Sequence, residues 1–235
     1  MSSPTAPPER RRHAIATWNE GPLHAALKAW YALPGDRVEV PIDGRQIDLV
    51  RGDLLIEVQT QGLSALRGKL EALTKRHPVR LVYPVSLARW IVRVDRLGRV
   101  LGRRRSPRPG RLEDAFAELV SLPRLFAQES FSCELLLTHE EVVRRLEPGR
   151  ARRRRGWVVV ERRLVSVVGR RVLESKDDLR DLLPAGLPPV FTTADLASGL
   201  RVPRGLAQKM AYCLRGAGAI EARGKQGNSI LYAAA

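Results

Sequence analysis

Cysteine, acidic residues and long apolar runs are all scarce in this 235-residue chain. The two cysteines, Cys133 and Cys213, sit in no CxxC or Cys/His spacing, which excludes a disulfide framework and offers no zinc site. Both read as small core residues. Apolar runs such as Trp157 to Val160 fall far short of the ~20 residues a membrane helix requires. With no apolar signal region near the N-terminus, the expectation is a soluble cytoplasmic protein without a membrane partner. Acidic residues number 25 against 41 Lys and Arg, giving a formal net charge of +16 and a pI near 11.1. Such an imbalance points to a polyanionic partner, nucleic acid first, more than to a small neutral substrate. An anionic membrane competes poorly, because no basic cluster lies on an amphipathic helix with aromatic anchors.

What is present is enough apolar residue, 44%, to bury a core in one large domain or two. The basic residues are mostly Arg, whose planar fork suits phosphate oxygens, and they cluster at Arg103 to Arg111, Arg144 to Arg155 and Arg162 to Arg171.

The stretch with the clearest chemistry is Gln46 to Thr60, QIDLVRGDLLIEVQT, which reads as a β-hairpin. With Gly52-Asp53 as a type II′ turn, Arg51 pairs with Leu54 and Asp48 falls opposite Glu57. Directly opposed residues share a face, with Cβ atoms about 5 Å apart. Two carboxylates at that separation repel unless a cation lies between them, and a hard divalent ion with oxygen ligands is the usual answer. The same polar positions also fit the wet face of an ordinary amphipathic hairpin. Against that stand Val50 and Leu55 on the same face, and neighbouring helices able to cover it.

Asp48, eight residues, then Glu57-Val58-Gln59 resembles the PD-(D/E)xK nuclease superfamily, with Gln59 where Lys usually stands. The surrounding order also fits the family: a helix from Asn19 to Tyr31, a three-stranded meander from Asp36 to Thr60, a helix from Leu63 to Arg76 and a strand from Val79 to Pro84. The resemblance implies an α/β fold with a restriction-endonuclease-like αβββαβ core. It further implies a Mg²⁺ (or Mn²⁺) ion held by Asp48 and Glu57, with Glu20 on the first helix completing the site. A Glu in a first turn also simply complements the helix dipole. In this superfamily the motif Lys stabilises charge at phosphorus or orients the attacking water, and some members draw that charge from the following helix. Lys69 is the substitute candidate here, against the alternative of a solvated helix lysine. His24, one turn beyond Glu20, has the reach to face the same cleft, against the commoner reading of a helical His as a surface or packing residue.

Residues 1–13 read as a disordered basic arm, followed by a nuclease-like domain over 14–183 with its core at 19–95. The first helix, capped by Asn19, is expected to bury Leu23, Ala26, Leu27 and Trp30. Trp90 to Asp95 and Val100 to Arg105 form a second hairpin turning at Leu97-Gly98. A helix from Leu112 to Phe126 carries Phe116, Leu119, Leu122 and Phe126 on one side. Phe131 to Leu137 reads as a strand, Thr138 to Leu146 fits helix or strand, Trp157 to Val168 is β-rich, and Lys176 to Leu183 is a short helix.

The Pro184 to Pro189 linker suggests a boundary between two cores. Beyond it, Thr193 caps a short helix, a second helix runs from Pro203 to Arg215, and two strands flank Gly224-Lys225-Gln226-Gly227-Asn228. Residues 188–235 thus resemble a winged-helix domain, with Arg204, Gln208, Lys209 and Lys225 as nucleic-acid contacts. The leading expectation is a Mg²⁺-dependent deoxyribonuclease with Asp48, Glu57, Gln59 and Lys69 as catalytic residues, DNA as partner and a homodimer left open. Its alternatives are a catalytically silent nuclease-fold DNA-binding protein, and a module whose basic surface binds RNA or a protein.

Overall fold

The computed structural model describes residues 21–150 and 155–235. The expected basic arm, Asn19 and Glu20 lie outside the described residues.

The fold is α/β, built on one seven-stranded sheet. Helix α1 (Pro22–Tyr31) leads into strands β1 (Arg37–Ile42), β2 (Arg45–Arg51) and β3 (Leu54–Val58), which pair antiparallel in sequence. Helix α2 (Leu63–Leu73) then crosses over to β4 (Val79–Val94), parallel to β3. Strand β5 (Val100–Arg105) folds back on the far half of β4, and a loop with short α3 (Phe116–Leu119) returns to β6 (Phe131–Leu146), parallel to β4. Strand β7 (Trp157–Leu173) closes the other edge. After α4 (Lys176–Arg180) come α5 (Thr193–Leu200), α6 (Arg204–Gly216) and a separate hairpin of β8 (Ile220–Gln226) and β9 (Ser229–Ala234).

Alternation along the strands fills both faces of the sheet. Ile56, Val58, Val82 and Leu136 pack under Leu23, Leu27 and Tyr31 of α1. Leu55, Leu81 and Leu135 turn the other way, toward Leu63, Leu70 and Leu73 of α2 and Phe116 and Leu119 of α3. The linker suggested two separate cores; instead the buried side chains of α5, α6 and β8 join this second cluster without a break. The docking is close. A Cβ on Gly216 would lie 2.6 Å from the Pro123 ring, and Arg111 donates to the carbonyls of Leu200 (2.7 Å) and Arg201 (2.8 Å).

Several elements differ from expectation. The first helix begins at Pro22 with Gly21 as its N-cap rather than at Asn19, since proline is pre-set for the first turn. Its buried stripe is Leu23, Leu27 and Tyr31, one turn apart each, so Trp30 is left 48% exposed. The strand at Val79 to Pro84 and the one at Trp90 to Asp95 are a single strand. Pro84 is tolerated within it because Val82 turns its carbonyl toward Gln59 at the end of β3, so Pro84, two residues on, aims its missing donor where β3 has already ended. The expected helix from Leu112 to Phe126 is two 3-10 turns, Leu112–Ala115 and Leu125–Ala127, around the four-residue α3. Pro123 cannot continue a helix, yet Phe116, Leu119, Leu122 and Phe126 are all buried. Helix α2 stops at Leu73, the helix from Lys176 stops at Arg180, and α5 is capped by Thr192, not Thr193, in reciprocal bonds with Asp195. Thr138 to Leu146 is strand. Cys133 and Cys213 are both buried free thiols.

Candidate active site

Gly52 adopts φ 58°, the left-handed turn position that a two-residue hairpin asks for, and the strands pair as Arg51 with Leu54, Val50 with Leu55 and Leu49 with Ile56. One step further the strands part. There the Asp48 carboxylate reaches across and accepts the Val58 N–H at 2.9 Å. His24, on α1, donates to the Val58 carbonyl at 2.6 Å and lies 3.6 Å from the same Asp48 oxygen. Burial alone would raise the Asp48 pKa, but the His24 ring and the Val58 amide outweigh it and hold the carboxyl below its usual range.

Glu57 is the opposite case. Only 4% exposed, it is pushed up to about 7 by burial, with the Asp48 charge adding to the rise and Lys69 opposing it. Lys69 reaches from the second turn of α2 to place its ammonium 2.6 Å from Glu57 Oε1, and also donates to the Gln46 carbonyl. Helix α2 is aimed there by a borrowed cap. Gly62 stands in the left-handed region at its N-cap, and the Glu118 carboxylate, from α3, accepts the N–H groups of Gly62 and Leu63 at 3.0 and 3.1 Å.

Asp48, Glu57 and Lys69 are therefore brought together, with His24 as a fourth member. Gln59 is not part of this contact: its side-chain amide donates to the Gln61 carbonyl at 2.7 Å. Glu20 lies outside the described residues. Among the described residues no group of three or more His, Cys, Asp and Glu side chains is placed to hold a metal ion. Two oxygen-donor carboxylates are what Asp48 and Glu57 offer to one.

Sequence reasoning missed the buttress behind the hairpin. Glu140 is fully buried and is gripped by two N–H groups of Arg162, at 3.2 and 2.8 Å, and by the Thr138 hydroxyl at 2.9 Å. A third Arg162 N–H holds the Thr60 carbonyl at 3.2 Å, pinning the chain next to Gln59. The signal was present in the ambiguous Thr138 to Leu146 segment, where a strand turns Thr138 and Glu140 to one side.

In the C-terminal unit, Arg204 and Gln208 are exposed on α6, and Tyr212 and Arg215 continue the same stripe at helical spacing. Lys209 turns toward α3, donating to the Ala117 carbonyl at 3.3 Å. Lys225 is exposed on β8, paired with Ile230.

Residues 21–174 match a family model described as a domain of unknown function, DUF8091, and the chain belongs to that family. The match starts at the cap of α1 and ends just past β7. An uncharacterized protein of Treponema pallidum (strain Nichols) is 34% identical over 185 residues, covering 78% of this chain and 73% of the relative. No solved structure matches the chain. Among the described residues no helix is long and apolar enough to cross a membrane.

Proposed function

We propose that this protein is a divalent-metal-dependent DNA endonuclease with a restriction-endonuclease-like core and a C-terminal winged helix that positions the DNA. The observation that carries the reading is the juxtaposition of Asp48 and Glu57, where β2 and β3 part, with the Lys69 ammonium 2.6 Å from Glu57. Support also comes from the order α1-β1-β2-β3-α2-β4, from α5 and α6 followed by a β-hairpin, and from the net charge of +16. A Mg²⁺ or Mn²⁺ ion bound here would supply Lewis-acid stabilisation of the phosphodiester's developing charge.

The residues divide the remaining work. Asp48, held ionised by His24 and the Val58 amide, is ready to accept a cation, whereas Glu57, whose pKa burial raises to about 7, would exchange its ion pair with Lys69 for the cation. Lys69, released, would take the part of the superfamily's motif lysine on the phosphate. Gln59, turned to its own loop, leaves that charge to Lys69. The test is incubation of purified protein with single-stranded, duplex and branched DNA, with Mg²⁺ or Mn²⁺ and with chelator. Cutting in metal alone is expected; cutting that survives chelator overturns the mechanism.

One observation favours a second reading, a catalytically silent DNA-binding protein. The Lys69–Glu57 ion pair neutralises the buried carboxylate with no metal at all. Absence of cleavage together with absence of Mg²⁺ or Mn²⁺ binding would select it.

A further inference from the structure

Strands β4, β6 and β7 run on past the end of β3 and, with β5, make a four-stranded extension of the sheet. The registers across it sort its arginines by face. Arg104, Ile91, Val142 and Arg162 form one row; Gly102, Arg93, Arg144 and Val159 form the next on the same face, two residues further along β4. On the other side of the first row come Arg89, Glu140 and Leu164. Leu164 packs with the cluster beneath α1, so this is the α1 face, the side from which His24 meets Asp48. Two side-chain contacts agree with the assignment: Arg162 grips Glu140, and the Arg93 guanidinium carbon stands 4.7 Å from the centre of the Trp157 ring.

The two faces differ in charge. On the opposite face Arg103 is bound by Glu141 and Arg163 by Glu161, each at 2.7 Å, and Arg105 leans on the Trp90 ring. The α1 face carries five arginines, Arg89, Arg93, Arg104, Arg144 and Arg162, against one carboxylate, Glu140, which is fully buried and already held by Arg162 and Thr138. Arg89, Arg93 and Arg104 are exposed and have no ion-pair partner among the described residues. Ile91 and Val142 lie between them only 8% and 9% exposed, an apolar floor of the kind that arginine stems cover while their heads stay in water. Arg162 ties the face to the candidate site, since its third N–H holds the carbonyl of Thr60, just beyond Glu57 and Gln59.

We propose that this face binds the phosphate backbone of duplex DNA and leads it to the Asp48 and Glu57 carboxylates. Guanidinium groups without carboxylate partners, spread over a sheet about 14 Å wide across its four strands, suit a row of phosphates, which Arg meets with its planar fork. The ring on this face, Trp157, is faced by Arg93, which leaves no open platform for an unstacked base and favours a duplex over a single strand. The inference rests on the nucleic-acid reading above but not on its cleavage step.

The experiment is fluorescence anisotropy of a labelled duplex DNA, a single strand of equal length and a duplex RNA, titrated with full-length protein in chelator at several salt concentrations. Arg93→Gln with Arg104→Gln is expected to weaken duplex DNA binding and to lower the slope of log affinity against log salt by about two, one for each lost phosphate contact. A control of the same charge on the opposite face, Arg103→Gln with Arg163→Gln, should leave affinity and slope as in wild type. Arg93→Lys with Arg104→Lys should restore the slope, because a point charge still meets a phosphate, and so separates a lost contact from a lost fold. Equal effects of the two glutamine pairs, an unchanged slope in the Arg93 and Arg104 pair, or tighter binding of the single strand or of the RNA duplex overturns the proposal. The expected loss of slope in a protein that never cuts overturns only the cleavage reading. Metal-dependent cutting by wild type with an unchanged slope in the variant overturns only this surface.

Discussion

Strand β4 is one strand with two environments. Over Val79–Val82 it runs between β3 and β6, covered on both faces, and the charged groups around it are met within the protein: Glu57 by Lys69, Asp48 by His24 and the Val58 amide, Glu134 by the Tyr31 hydroxyl at 2.5 Å. Over Trp90–Val94 it runs between β5 and β6, and β5 is exposed along its whole length. There Arg96 and Arg104 have no ion-pair partner among the described residues, and the local apolar cluster is only Val92, Val94 and Val143. On the proposed function, the paired, buried charge serves the chemistry and the unpaired, exposed charge meets the polyanion. The two properties then occupy different lengths of the same strand, and each is breakable without the other.

The largest expected effect is on cleavage. Asp48→Asn or Glu57→Gln removes one charge of the cation-binding pair with little change of shape, and should cost on the order of a hundredfold or more in rate. DNA affinity, resting on the β4–β5 hairpin and the C-terminal unit, should persist, as a binding isotherm of each variant in chelator would show. Loss of binding in step with cleavage would erase the distinction between the two lengths of β4.

Next comes truncation before Leu187. Because Leu196, Met210 and Leu214 share a cluster with Phe116 and Leu119, removal of residues 187–235 uncovers the α3 side of the sheet and should lower the melting temperature markedly. A truncated chain that melts like the full one would mean that the two parts are stable separately. On the β4–β5 hairpin, Arg96→Gln with Arg104→Gln should flatten the salt dependence of DNA binding by about one unit per lost phosphate contact and leave saturated cleavage unchanged.

Stability as a function of pH separates the two carboxylates. Glu57 binds its proton more tightly folded than unfolded, since burial lifts it from 4.5 to about 7. Stability should therefore fall as pH rises from about 4.5 to about 7, by on the order of 3 kcal/mol at most, and Glu57→Gln should remove that slope. Asp48 has the reverse sign: its lowered pKa contributes stability above the ordinary carboxylate range, lost on acidification. Neutralising either residue looks stabilising from the sequence, where they are simply two facing carboxylates. In the structure this holds for Glu57 only, and chemical denaturation of both variants across pH reads the difference. The smallest effect on the pH curve belongs to Lys69→Ala, which should raise the Glu57 pKa further as its opposing charge disappears, alongside the loss of cleavage that its role on the phosphate requires.

The hairpin was legible because its signals are local. Gly52-Asp53 fixes the turn and the turn fixes the register, so the neighbourhood of Asp48 and Glu57 follows from fifteen letters, Gln46 to Thr60. The reach of Lys69 was readable only as a possibility of spacing, since what aims α2 is Glu118, far along the chain. His24 reads from the sequence as a surface or packing residue with reach to the cleft, and its bond to the Val58 carbonyl is one that no motif records. The broken helix after Leu112 shows the opposite failure. Its apolar spacing was correct for burial, and all four stripe residues are buried, but Pro123 and the close approach of Gly216 decided the backbone. Tyr31 rather than Trp30 is inside because it falls one turn from Leu27 on the stripe facing the sheet, where its hydroxyl donates to buried Glu134.

The measurement that tests the central claim most directly is cleavage of branched and duplex DNA by wild type and Asp48→Asn, side by side, in Mg²⁺, in Mn²⁺ and in chelator. The account predicts product only from wild type and only with metal, while both proteins shift the same DNA in a binding assay. Equal cutting by Asp48→Asn, or cutting in chelator, would contradict it.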